Sequence, residues 1–166
     1  MSKKLNEFVG KFLQDPRIPR DVKNGVNTLL TSHLASGQKY ERMGMLDEAI
    51  AEYAKEYDRP IKSVIDAEIV QKAYCQTGEI YRELRQVAKS MMYFQKAREL
   101  LNMYGAGTSP HMYLAEMLIE QGQIDSAIEV YEEYVQKWPD DNAMKQLLFK
   151  AREKRDSDSN RSDQQA

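Results

Sequence analysis

Two histidines, one cysteine and many carboxylates are the side chains of this sequence that can do chemistry, and their spacing decides which kind. A zinc site draws His, Cys or carboxylate ligands together, often from spacings such as His-x-x-x-His. His33 and His111 stand far apart and neither has such a neighbour. Cys75 is the single cysteine, so an internal disulfide is excluded and a cysteine-based zinc site lacks ligands. As a nucleophile it would need a histidine one helical turn away, and there is none. Asp47-Glu48 and Glu132-Glu133 could serve hydrolysis only if one carboxylate were desolvated, and they fall on helix positions expected to be wet. Gly105-Ala106-Gly107 lacks the preceding strand and the following lysine of a phosphate loop. The expectation is a chain without catalytic residues, metal or cofactor.

The elements that carry these residues are helical. The chain has 166 residues, 42% of them hydrophobic and 30% charged, enough apolar material for a core. A net charge of −2 offers no basic footprint for nucleic acid. No segment nears the roughly 20 apolar residues of a membrane span, and no apolar signal-like run follows Met1. With a lone cysteine, this reads as a cytoplasmic chain. Leu5, Phe8, Val9, Phe12 and Leu13 form one helical stripe that Asp15-Pro16 ends. Lys3, Lys4 and Lys11 flank it, and packing against the rest of the chain is favoured over a membrane surface. From Pro19, Val22, Val26, Leu29, Leu30 and His33 continue a stripe, which predicts one long helix. Pro60 is expected to open another, carrying Ile61, Val64, Ile65, Ile69, Ala73 and Tyr74. Asn102 to Pro110 reads as a turn, with Ser109 a candidate cap.

Three segments share a skeleton. Gly37, Gly78 and Ala115 each precede a second small residue (Ala49, Ser90, Ala127) by the same interval, and an aromatic follows four later: Tyr53, Phe94, Tyr131. Tyr40 and Tyr81 follow the glycines three later. Glycine inside a helix costs about 1 kcal/mol against alanine, so its recurrence needs a packing reason: the facing helix must come close. The pattern resembles the tetratricopeptide repeat, with its Trp-x2-Leu-Gly-x2-Tyr, Ala-x3-Phe and closing proline. The resemblance implies antiparallel helix pairs, with the aromatics expected to plug the space between successive pairs. Here His33, Tyr74 and His111 stand at the Trp position, each expected as a half-buried ring. Glu56 and Tyr134 replace a late alanine, and Pro60 and Pro139 close the first and third repeats. The small residues lie farther apart than the family's 34-residue period.

The resemblance covers roughly residues 30–139 and implies an all-α solenoid, a right-handed superhelix of antiparallel helix pairs. The expected layout is a helical extension over 1–29, three repeats over about 30–63, 71–104 and 108–141, a capping helix over 141–155, and a disordered tail over 156–166. Asp140 or Asp141 can cap the last helix, whose apolar stripe is Met144, Leu147, Leu148 and Ala151.

What the resemblance implies about function is a groove lined by the first helix of each pair. Its positions match Leu34, Gln38, Glu41 and Arg42, then Lys72, Cys75, Gln76, Glu79, Arg82 and Glu83, then Ser109, Met112, Tyr113, Glu116 and Ile119. Family members that hold acidic chaperone tails grip the carboxylates with lysine and arginine. The matching residues here are Leu34, Gln38, Gln76, Ser109 and Tyr113, so that clamp is absent and such tails are not expected to bind. The implied role is a protein-binding scaffold or adaptor for a peptide or helix; the alternative is a dedicated chaperone for secreted or assembly subunits. A homodimer is a further expectation, through the N-terminal helix or the long helix after Pro60.

Overall fold

The computed structural model describes residues 3–30, 32–105 and 110–163; Ser109 lies outside them. Among the described residues there are nine helices and no strand. They are α1 (Lys3–Gln14), α2 (Arg20–Leu30), α3 (Leu34–Arg42), α4 (Leu46–Ala54), α5 (Val64–Glu83), α6 (Val87–Tyr104), α7 (Pro110–Glu120), α8 (Ile124–Lys137) and α9 (Asn142–Asp163). α3 packs on α4, α5 on α6 and α7 on α8; α4–α5 and α6–α7 contacts join the pairs, and α9 packs on α8.

The three pairs turn in the same way. Gly44, Arg85 and Gly122 adopt positive φ of 72°, 56° and 75°. Each donates its N–H three residues back, to Glu41, Arg82 and Ile119, and the next residue donates five back, to Tyr40, Tyr81 and Leu118. Arg85 adopts this left-handed conformation without the freedom of glycine. Its side chain is exposed, so Arg85→Gly is expected to raise stability by about 0.5–1 kcal/mol. Urea unfolding measures it; a lower midpoint would mean the arginine side chain stabilises the turn.

The small-then-aromatic skeleton closes each pair. A Cβ on Gly37 would lie 2.3 Å from the Tyr53 ring, and one on Gly78 2.7 Å from the Phe94 ring. The glycines therefore make room for the ring that follows, and this contact sets how closely the two helices approach. Tyr53 belongs to a core with Leu34, Ala49, Ile69 and Ile80, between the first pair and α5. Phe94 and Tyr131 belong to a second core with Leu114, Met117, Ile128, Met144 and Leu148, which runs from α6 to α9. Each ring thus fills the space ahead of its own pair.

Four boundaries differ from the sequence reading. The long helix expected from Pro19 is two helices, α2 and α3. The His33 N–H donates to the Glu56 carboxylate, so it is not spent on continuing a helix, and α3 starts afresh with Gly37 N donating to His33 O at 2.9 Å. α5 opens at Val64, not Pro60, because Ser63 caps it: Ser63 Oγ accepts from Asp66 N at 3.2 Å and donates to Asp66 Oδ2 at 2.8 Å. α6 continues through Tyr104 and stops at Gly105, whose φ is 66°. α9 starts as expected, with Asp141 Oδ1 accepting from Met144 N at 3.1 Å, but it runs on to Asp163, into the stretch read as a tail. Past the buried Ala151, residues 152–158 are exposed. Arg152 reaches Glu132 of α8 at 2.7 Å, and Ser157 Oγ donates to Glu153 O at 2.8 Å, so local and neighbouring polar groups hold this part of the helix.

Candidate functional site

The first helices α3, α5 and α7 present side chains to one another. Gln76 Nε2 of α5 donates to Glu41 Oε2 of α3 at 3.3 Å. Glu41 Oε2 also accepts from the buried Tyr53 hydroxyl at 2.7 Å. Arg82 of α5 reaches across to α7, 3.3 Å from Glu116 and paired with Glu120, while 3.7 Å from Glu79 on its own helix. A shallow cleft of about 310 Å³ lies between α3 and α5, lined by Gln38, Glu41, Arg42 and Gln76.

Of the residues expected on this face, Arg42 and Lys72 are exposed, and Gln38, Gln76, Glu79, Arg82, Met112, Tyr113, Glu116 and Ile119 are half-buried. Leu34 and Cys75 are 8% and 3% exposed, so they pack inside and present little to a partner. Tyr113 is backed by Phe94, with ring centroids 5.1 Å apart. Glu120 escaped the sequence reading, yet it stands five residues after Ala115, as Arg42 and Glu83 stand after Gly37 and Gly78. That register was the signal that could have found it.

Electrostatically the face is acidic. Glu41, Glu79, Glu83, Glu116 and Glu120 outnumber Arg42, Lys72 and Arg82. Burial pushes the Glu79 carboxyl up, with Glu116, Glu83 and Glu120 adding to the shift against Arg82. Burial likewise pushes the Tyr113 phenol up, helped by Glu79.

The residues in the Trp position meet three different environments. His33 is half exposed, its Nδ1 2.9 Å from Glu52 Oε2. Tyr74 stacks on Tyr57 with centroids 4.4 Å apart. His111 is fully buried rather than half-buried, edge-on to Tyr134 and Trp138 at 5.3 and 6.2 Å. Its Nε2 lies 3.7 Å from Glu133, which also takes Asn102 and Arg98. Among the described residues, no three His, Cys, Asp or Glu are placed to hold a metal ion.

Burial holds the His111 imidazole down, to about 4 from its ordinary 6.5, with Glu133 opposing. The folded chain therefore keeps it neutral where the unfolded chain takes up a proton. The stability it contributes is complete above pH 6.5 and is lost as pH falls towards 4, by up to about 3 kcal/mol. Glu79 acts in the opposite sense, since its raised pKa favours the folded state as pH falls. His111→Phe in a Glu79→Gln background is thus expected to flatten the loss of stability between pH 6.5 and 4.5. Urea unfolding at fixed pH checks this, and an unchanged slope would locate the acid sensitivity elsewhere.

Among the described residues no helix is long and apolar enough to cross a membrane. No curated protein matches the chain. Residues 71–100 and 109–151 each match the tetratricopeptide repeat family. The first match covers most of α5 and α6, and the second covers α7, α8 and the start of α9. The α3–α4 pair lies outside both but has the same glycine–aromatic contact and the same turn. With two repeats matched and a third hairpin built on their plan, this chain is a tetratricopeptide repeat protein.

Proposed function

We propose that the chain is a non-catalytic scaffold that holds a peptide or helical segment of a partner protein on the face shared by α3, α5 and α7. Repeats of this family generally mediate protein–protein interaction. The observation that carries the reading here is the half-buried strip of Met112, Tyr113 and Ile119, set beside polar side chains that already bridge neighbouring helices. Such a strip suits side-chain anchors at helical spacing, and methionine tolerates an imprecise fit. The surplus of glutamates repels an acidic tail, in keeping with the missing basic clamp.

Photocrosslinking amino acids at Gln76 and Met112 test the reading, with Met92, exposed on α6, as the control. Crosslinks to another protein are expected from the first two positions and not from Met92; the reverse pattern would move the binding surface to the second helices. The chaperone alternative predicts more: a captured client that is degraded or aggregates when the chain is absent.

A further inference from the structure

Building on the scaffold reading above, we propose that the α5–α7 part of this face seats a cationic amphipathic helix, and that its occupant is α1 of a second copy of the chain.

The face is short of positive charge. α5 and α7 bring Glu79, Glu83, Glu116 and Glu120 around Arg82, and Arg82 is already divided among Glu79, Glu116 and Glu120. Glu79 Oε1 is buried and accepts no hydrogen bond. Its neighbouring carboxylates, after burial itself, push its pKa up, as befits an anion that lacks a sufficient counter-charge. Beside these carboxylates lie Met112, Tyr113 and Ile119, half-buried and partly open to solvent. An apolar strip edged with carboxylates complements an amphipathic helix that carries a surplus of lysines.

α1 has that character. Its sequence spaces Leu5, Phe8, Val9, Phe12 and Leu13 along one stripe, and carries Lys3, Lys4 and Lys11 against the single carboxylate Glu7. Among the described residues, α1 is in none of the helix pairs that pack extensively together. A stripe of this kind is stable in water only when something covers it.

The connection to α2 favours a second copy over the same chain. Arg17 N and Nη2 bond to Asp15 at 2.9 and 2.7 Å, and Ile18 N donates to Asp15 O at 3.2 Å, so a compact turn sets the direction of α1. α2 in turn rests on the start of α5, where Gly25 meets Ile65. Glu79 lies 14 residues beyond Ile65, about 21 Å along the axis. Among the described residues α1 does not pack extensively on α5 or α7 of its own chain, which leaves the face to a second copy's arm. Two chains exchanging arms cover both stripes and supply both faces with lysine.

Sedimentation equilibrium of the full chain tests this. A reversible dimer is expected. Reversing the arm (Lys3→Glu, Lys4→Glu, Lys11→Glu) or the face (Glu79→Lys, Glu116→Lys) should each weaken it by about tenfold or more, and combining both reversals in one chain should restore it. The milder pair Glu79→Gln and Glu116→Gln should weaken it in the same direction, with far-UV dichroism reporting that each variant is folded. A monomer at every concentration overturns the proposal, as does a dimer indifferent to both reversals. So does a monomer whose spin label at Lys11 broadens the signals of Met112, since the arm then lies on its own face. If a monomeric chain still crosslinks a foreign partner from Gln76 and Met112, the scaffold reading stands and only this occupant falls.

Discussion

Phe94→Ala is expected to lower the free energy of unfolding by about 3–5 kcal/mol. The ring is fully buried in the core that runs from α6 to α9. It also lies against the place where Gly78 has no side chain and stacks on Tyr113. Truncation leaves a cavity at the joint between two pairs, and a solenoid repeat depends on its neighbours for much of its stability. A typical domain holds only about 5–15 kcal/mol in total, so the loss should bring the chain close to unfolding at ambient temperature.

The reverse error at the same contact is Gly78→Val. The first added carbon alone would stand 2.7 Å from the ring, and the ring has nowhere to go. Overpacking of this kind costs about 1–3 kcal/mol. Combining Gly78→Ala with Phe94→Leu relieves the clash, so the double variant should be more stable than the two single losses imply. Urea unfolding followed at 222 nm measures all of these. Strict additivity would show that the glycine and the ring are not coupled.

The second large effect concerns a charge. Glu56 stands where the second repeat has Ala97, and it is 1% exposed. Its carboxylate accepts from His33 N and from Arg59 Nε, and Arg59 extends to Asp66 at 3.7 Å. The group thus ties the end of α4 to the start of α3 and the first turn of α5. Arg59→Ala leaves this carboxylate buried without its cation and is expected to cost about 3–5 kcal/mol. Glu56→Ala removes the buried charge together with the need for a partner. It leaves the His33 N–H in a half-exposed place, so about 1–2 kcal/mol is expected.

The pH dependence gives an independent check. Burial pushes the Glu56 carboxyl up, but Arg59 and His33 overcome it and hold the group below 4.5. In the parent chain its contribution is present above pH 4.5 and lost as pH falls through the lower, folded value. Without Arg59 burial prevails, the folded pKa rises above the unfolded one, and protonation relieves the variant. The gap between parent and Arg59→Ala should therefore narrow as pH falls towards 4.5 and below. A gap that stays constant would mean that Arg59 acts through packing alone.

Much of the plan was legible because it is periodic. A small residue, a second small residue and an aromatic recur at one phase in three segments, since every helix pair solves the same packing problem. The stripe of α9 and its Asp141 cap were legible for the same reason: each is a local relation along one helix. The start of α5 was also written locally, in Ser63 and Asp66, although Pro60 looked the stronger signal.

Tertiary structure decided what depends on distant partners. Whether the chain continues as a helix through His33 turns on Glu56, 23 residues away, taking its N–H. His33 and His111 share one repeat position, yet only His111 is fully enclosed, edge-on to Tyr134 and Trp138. Leu34 and Cys75 match groove positions but lie within the packed helices. Sequence by itself determined the repeating unit, because spacing along a helix sets which residues share a face. Burial, ion pairing and the charge of the shared face were decided by which helices came to lie side by side, and one chain's local periodicity does not record that.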